Sequence, residues 1–127
     1  MKLEFLASGS PDCPLIRLYD FDMAAAVRLR EVFRRLSDAS LPSAPLHEQL
    51  GIEAIDRCRL DLRLGGRDRG IVQTTPSSFE CILTAEGWSK VVDLMEPFCD
   101  SVGKPRHYQW LNEDGEVSLL LSPLGSW

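Results

Sequence analysis

Charged and apolar side chains alternate along Cys58–Leu64, and this segment is the strongest candidate for a binding surface in the sequence. Because successive side chains of a strand point to opposite faces, Arg59, Asp61 and Arg63 would share one face and their apolar neighbours the other. Guanidinium groups bind carboxylates and phosphates, and arginine is enriched at protein interfaces. The segment is therefore predicted to be a strand with one buried face and one face that holds an anion or a partner protein.

Other segments would contribute to the same face. Arg17 and Tyr19 join it if Ile16 and Leu18 point to the core, and His107 is a further candidate acid or base. The predicted ligand-binding set is Arg17, Tyr19, Arg59, Asp61, Arg63 and His107. The same alternation adds the outward positions Leu15, Glu80, Ile82, Ser118 and Leu120. The alternative is a solvated face on which arginine and aspartate pair across strands.

The glycine-rich segment Gly65–Gly70 could wrap an anion with its backbone N–H groups. It matches neither the dinucleotide-binding pattern nor the phosphate-binding loop that opens a helix, since it lies between two predicted strands. A plain hairpin loop is the favoured interpretation.

Asp20-Phe21-Asp22 follows a predicted strand and resembles, over three residues, the D-x-D motif of haloacid-dehalogenase-type phosphotransferases. The resemblance implies a nucleophilic acid, a general acid and a Mg²⁺ ion. Ala24 stands where that family usually has Thr or Val, and no second acidic motif follows. Asp22 is instead interpreted as the N-cap of a helix, because its carboxylate can accept from the N–H groups of the first turn.

Cysteine and histidine are too scattered for a predicted metal centre. The cysteines are Cys13, Cys58, Cys81 and Cys99, without a C-x-x-C pair, and the histidines are His47 and His107. Cys58 and Cys81 fall on predicted core faces, where thiols act as small hydrophobes. No metal, cofactor or catalytic residue is predicted.

The chain has 127 residues and a formal net charge of −5 at pH 7. This length suits a single domain over 1–127. The acidic balance disfavours nucleic acid and anionic membrane surfaces as partners. Five arginines and two aspartates between residues 57 and 69 nevertheless leave a local positive region for a small anionic ligand. No signal peptide or membrane-spanning stretch is apparent, so a cytoplasmic location is predicted.

Hydrophobic periodicity predicts an alternation of strands and helices. The predicted strands cover residues 3–7, 15–19, 58–64, 71–75, 79–83, 107–111 and 116–122, and the predicted helices cover 22–38 and 84–98. Residues 46–56 are left open between a helical turn and an irregular strand, and could form a lid. No internal repeat is apparent.

Two amphipathic helices and several one-faced strands favour an α+β fold: a two-layer sandwich in which both helices cover one face of a mostly antiparallel sheet. A ferredoxin-like βαββαβ order with an extra C-terminal strand is the expected topology. The expected function is a non-enzymatic binding or interaction domain that uses the open sheet face, either for self-association as a homodimer or for a partner protein. The alternative is a small enzyme or sensor that binds an anionic molecule through the arginines, with Asp61 or His107 as acid or base.

Overall fold

The computed structural model describes residues 1–100 and 107–127, in which two helices pack on two mixed sheets. The strands are β1 (Lys2–Leu6), β2 (Leu15–Tyr19), β3 (Ser43–Pro45), β4 (Glu53–Ala54), β5 (Arg59–Leu64), β6 (Gly70–Thr75), β7 (Ser78–Leu83), β8 (Gln109–Asn112) and β9 (Ser118–Ser122). The helices are α1 (Met23–Ser37) and α2 (Ala85–Cys99), and single 3₁₀ turns cover Leu46–Glu48 and Ile55–Arg57. Neither helix of the described chain is long and apolar enough to cross a membrane.

The expected α+β sandwich is confirmed, but the strands form two sheets where one was expected. Sheet 1 has the order β4-β1-β2-β9-β8, and sheet 2 has the order β3-β5-β7-β6. Both sheets are mixed, with parallel and antiparallel pairs, and the ferredoxin-like order is not confirmed. Alternation along a strand tells which side chains face inward but does not tell which strand lies beside it, and for this reason the prediction failed at the level of sheet order.

A structural repeat that the sequence did not reveal organises the two sheets. Each half of the chain contains the order strand, strand, helix, strand, strand: β1-β2-α1-β3-β5 in the first half, where the two-residue β4 is an addition between β3 and β5, and β6-β7-α2-β8-β9 in the second. Sheet 1 joins β1 and β2 of the first half to β8 and β9 of the second, and sheet 2 joins β3 and β5 to β6 and β7. At the centre of each sheet, the two halves meet in a parallel pair, β2 with β9 and β5 with β7.

The two helices have the same length and, apart from Gly87 of α2, bury the same positions, which strengthens the repeat. Both have 15 residues, and the buried side chains correspond one to one: Ala26 with Trp88, Leu29 with Val91, Phe33 with Met95, and Leu36 with Phe98. This spacing of three and four residues produces a continuous apolar stripe on each helix. The stripes belong to a single buried cluster that also includes inward side chains of both sheets.

The predicted helix caps are confirmed. Asp22 accepts a hydrogen bond from the Ala25 N–H at 2.9 Å, and Thr84 accepts one from the Gly87 N–H at 3.0 Å. Each bond satisfies one of the N–H groups that have no partner inside the first turn of a helix.

Two contacts between the sheets illustrate how they meet in the described part of the chain. Phe5 of sheet 1 and Phe79 of sheet 2 lie with ring centroids 4.6 Å apart. Ile71 of β6 forms an isolated bridge with Val117, just before β9. At this crossing a side-chain carbon on Gly115 would collide with the Ile71 backbone, so the close approach requires glycine.

Candidate functional site

The outer face of sheet 2 is the helix-free surface that the sequence predicted, although it is formed by fewer strands. Leu60 and Leu62 point from β5 into the core, whereas Arg59 and Arg63 are exposed and Asp61 is half-buried. The predicted alternation of β5 is therefore confirmed. From here on, the sheet 2 face means the outward side chains Arg59, Asp61, Arg63, Val72, Glu80 and Ile82.

Register places the charged side chains of this face in a compact group. Asp61 lies beside Glu80 across the parallel pair of β5 and β7, and Arg63 lies beside Ile82. Arg63 forms an ion pair with Glu80, with 3.2 Å between Nε and Oε1. Within the described chain, Asp61 and Arg59 have no ion-pair partner. Because like charges on neighbouring strands repel, the carboxylate of Asp61 would gain from a second cation.

Apolar side chains lie between these charges. Val72 of β6 is the neighbour of Glu80 in the register, and Ile82 lies between Arg63 and Gly70. Both side chains are half-buried. A surface of this kind, with apolar side chains and arginine but no lysine, is typical of protein interfaces.

The glycine-rich loop lies at one end of the sheet 2 face but is not the predicted hairpin. β7 lies between β5 and β6, so the loop crosses the end of that strand. The Gly65 N–H donates to the Leu83 carbonyl and the Arg69 N–H to the Ile82 carbonyl, each at 2.9 Å. These two N–H groups complete sheet pairing and are not available to wrap an anion.

Arg17 and Tyr19 lie on sheet 1, so the structure does not bring them to the residues of sheet 2. Glu4 accepts from Arg17 Nε at 2.8 Å and pairs with its Nη2 at 2.6 Å, while the Gly125 carbonyl accepts from Nη1 at 2.7 Å. The guanidinium carbon also lies 4.0 Å from the centre of the Tyr19 ring. All three guanidinium nitrogens of Arg17 therefore already have partners within the chain, which leaves little of this side chain for a ligand.

The C-terminal segment 123–127 lies on the outer side of sheet 1. Its Gly125 packs close to Arg17 and Tyr19, and Trp127 Nε1 donates to Asp12 Oδ2 at 3.0 Å. On the same outer face, Leu15 and Leu120 are fully buried but do not belong to the main core. Sheet 1 therefore does not offer the open face that the sequence analysis expected for it. Nothing in the sequence of residues 123–127 predicted that this segment would cover a sheet.

His107 is exposed at the start of the last hairpin, in the part of the chain that leads into sheet 1. Its carbonyl accepts from Ser122 Oγ at 3.2 Å. No contact brings it to Asp61 within the described residues, so a shared acid-base role for the two is not assembled here.

The other histidine and two of the thiols are structural. His47 Nδ1 accepts from the Leu60 N–H at 3.0 Å. The imidazole, and not a neighbouring strand, therefore satisfies this backbone N–H group of β5. Burial raises the pKa of Cys58 to about 11 and that of Cys81 to about 12. Both thiols are thus protonated near neutral pH and poor nucleophiles.

Comparison with known proteins does not add an identity. No protein-family model, no curated protein and no solved structure matches the chain.

Proposed function

We propose that this chain is a non-enzymatic binding domain that self-associates through the sheet 2 face. The observation that carries the proposal is the pair of unmatched opposite charges on one strand: Arg59 is exposed and Asp61 is half-buried, and neither has an ion-pair partner in the chain as described. A second copy of the same face supplies both missing partners at once.

The proposed dimer has a two-fold axis that crosses β5. A two-fold interface is self-complementary, so a contact between two residues occurs twice. In this arrangement Arg59 lies opposite Asp61 of the partner subunit, and Asp61 lies opposite Arg59 of the partner subunit. The intrachain ion pair of Arg63 with Glu80 stays intact beside these contacts.

Apolar burial supplies the non-directional part of the affinity. Ile82 and Val72 flank the charged group and are only half-buried in the single chain. Apolar area removed from water contributes about 25 cal/mol per Å², whereas ion pairs at a solvated rim contribute little and mainly fix orientation. Ile82 is accordingly the expected anchor, and the charges select the register.

Charge reversal tests this arrangement directly. Arg59→Asp and Asp61→Arg each place like charges opposite one another at both copies of the contact, so each variant alone is expected to be a monomer. Molar mass is measured by size-exclusion chromatography with light scattering. Arg35→Glu, which reverses an exposed charge on α1, serves as the matched control and should leave the dimer unchanged.

Mixing the two variants separates a specific contact from a general loss of stability. One Arg59→Asp subunit and one Asp61→Arg subunit restore opposite charges at both contacts, so an equimolar mixture should form a heterodimer. A wild-type protein that stays monomeric at high concentration would overturn self-association. Single variants that still dimerise would show that the dimer uses another face, and a mixture that stays monomeric, while wild type dimerises, would refute the pairing of Arg59 with Asp61.

A second candidate function is the binding of a small anion by the arginine cluster of the same region. Arg67 and Arg69 line a shallow depression with Gly66 and Ile82, and neither arginine has a carboxylate partner in the described residues. Inorganic phosphate is the probe. Saturable amide shifts at this loop, lost in the Arg67→Gln, Arg69→Gln double variant, would support anion binding, and unchanged spectra would exclude it.

A cytoplasmic location is part of the proposal. All four cysteines are free thiols, and Cys58 and Cys81 are buried in the core. Free thiols persist in reducing compartments. Fluorescence microscopy of the tagged chain in cells tests this part separately.

A further inference from the structure

Two pockets of this molecule occupy corresponding places in its two halves. The first lies beside the N-terminal half of α1, and its lining includes Ala25, Arg28, Leu29 and Val32. The second lies beside α2, and its lining includes Gly87, Lys90, Val91 and Leu94, which are the corresponding helix positions. In each pocket, the opposite wall comes from the chain that follows the helix, Gln49–Ile52 in the first and Leu111–Asp114 in the second. The structural repeat therefore produces two versions of one site.

The first pocket is predominantly apolar. It has a volume of about 120 Å³. Its lining residues are Met1, Ala25, Arg28, Leu29, Val32, Leu46, Gln49, Leu50, Gly51 and Ile52. The side chains of Leu29 and Leu46 are fully buried, whereas Leu50 at the rim is 92% exposed. A ligand that covers this exposed leucine would remove apolar surface from water, which favours binding.

Arg28 is the only charged side chain in this lining, and it has no ion-pair partner in the described chain. The acidic residues near Arg28 in the sequence have other partners, and the closest of them, Glu31, accepts from Arg34 Nε at 2.9 Å and Nη2 at 2.6 Å. Asp20 pairs with Lys2 at 3.5 Å, and Asp22 accepts from the Ala25 N–H at 2.9 Å. The guanidinium of Arg28 lies against Gly51, at the edge of the pocket. A planar guanidinium in this place matches a carboxylate with two parallel hydrogen bonds.

The second pocket has the same cation position but the opposite charge balance. Lys90 lies 4.0 Å from Glu86, and Asp68, Glu113 and Asp114 also line the pocket. Its cation is thus already next to a carboxylate, and three further carboxylates would repel an anion. The second pocket can therefore serve as a control for the contribution of Arg28 to anion binding in the first pocket.

We infer that the first pocket binds a small monocarboxylate with an apolar tail, the carboxylate on Arg28 and the tail against the apolar lining, where it covers the exposed Leu50. The volume limits the tail, since an engineered apolar cavity of about 150 Å³ holds benzene. A tail of about four to six carbons fits this limit. This site is separate from the sheet 2 face and does not depend on the proposed dimer.

Hexanoate is the probe that tests the inference, with binding followed by amide shifts in the NMR spectrum of the full-length chain. Hexanoate should produce saturable shifts at Ala25, Gly51 and Ile52. Arg28→Gln should weaken its affinity about tenfold or more, which is the typical loss when a charged hydrogen-bond partner is removed. Lys90→Gln makes the same change at the corresponding position of the second pocket and should leave the affinity unchanged.

Changes to the ligand separate the two parts of the site. Acetate has the charge without the tail and hexylamine has the tail with the opposite charge, and both should bind at least about tenfold more weakly than hexanoate. Ala25→Leu, which fills the pocket from α1, should abolish hexanoate binding while the rest of the spectrum keeps its dispersion.

Three results would overturn the inference. These are the absence of saturable shifts when hexanoate is added to wild type, binding of hexanoate to Arg28→Gln as tight as to wild type, and binding of acetate as tight as that of hexanoate. The charge variants of the sheet 2 face offer a cross-check, because they should retain hexanoate binding whether or not the dimer forms.

Discussion

Phe33 of α1 and Trp88 of α2 stack with their ring centroids 5.6 Å apart and their planes 14° from parallel. Both side chains are fully buried. Trp88 also donates from Nε1 to the Arg63 carbonyl of β5 at 3.0 Å. This pair therefore connects the helices of the two halves to each other and to the strand that presents the sheet 2 face.

Loss of this stack should strongly destabilise the fold. Phe33→Ala removes a large buried ring, and we expect the free energy of unfolding to fall by about 3–5 kcal/mol in urea denaturation. Val27→Ala, on the exposed side of the same helix, is the control and should change it by less than about 0.5 kcal/mol. A small effect at Phe33 would mean that the helices can repack without the stack.

The indole hydrogen bond should have its own measurable contribution. Trp88→Phe keeps most of the apolar volume but leaves the Arg63 carbonyl without this donor, which should cost about 1–3 kcal/mol. Urea denaturation followed by circular dichroism measures the loss without relying on tryptophan fluorescence. An unchanged stability would show that water or another donor replaces the indole.

The two N-caps allow a direct comparison between the halves. Asp22→Ala and Thr84→Ala each remove an acceptor for a first-turn N–H, and each should lower the free energy of unfolding by about 0.5–2 kcal/mol. Asp22→Asn keeps an acceptor oxygen and should be close to wild type. If Asp22→Ala were as stable as wild type, the capping role of this carboxylate would be wrong.

Asp68 should titrate at unusually low pH. Its carboxylate accepts hydrogen bonds from the Thr84 N–H and Oγ1, both at 2.8 Å, and these bonds lower its pKa. A lowered pKa in the folded state means that Asp68 adds stability above the ordinary range of aspartate, at pH values over about 4, and that this contribution disappears as the pH falls. Carboxyl titration by NMR should give a higher value for Asp68 in Thr84→Val than in wild type.

Thiol labelling should report the burial of Cys58 and Cys81. Burial raises their pKa values to about 11 and about 12, so little thiolate exists at pH 8 and access is blocked. Both should react with iodoacetamide far more slowly in the native protein than in urea, with peptide mass spectrometry as the readout. Because these values are raised, the thiols favour the folded state at neutral pH, and that contribution is lost as the pH rises above about 9. Rapid native labelling at Cys81 would contradict its place in the core.

Local patterns predicted most of the elements, because the features that define them lie close together in sequence. The alternation of Cys58–Leu64, the core positions Phe79, Cys81 and Leu83, and both caps were correct for this reason. The grouping of strands into two sheets was not predictable, since β2 and β9 pair across almost the whole chain. Arg17 illustrates the consequence: its sequence suggested a place beside Arg59, whereas pairing with β1 and β9 gives it Glu4 and Gly125 as partners.

The pocket beside α1 was not predicted from the sequence, although the sequence contains a signal for it. Arg28 and Lys90 occupy the same position in two helices with identical buried spacing. That spacing would have revealed the repeat if the two helices had been aligned with each other. The pocket wall at Gln49–Ile52 lies in the segment that the sequence left open between helix and strand.

The exchange of strands between halves also constrains how the chain folds during synthesis. Sheet 1 needs β9, which is synthesised after the other eight strands of the described residues, and β9 lies between β2 and β8. Until that strand leaves the exit tunnel, the inner edge of β2 stays unpaired and open to wrong partners. Contacts this distant in sequence also make folding slow, because a large loop must close before they form. Sheet 1 is therefore complete only once β9 has been translated.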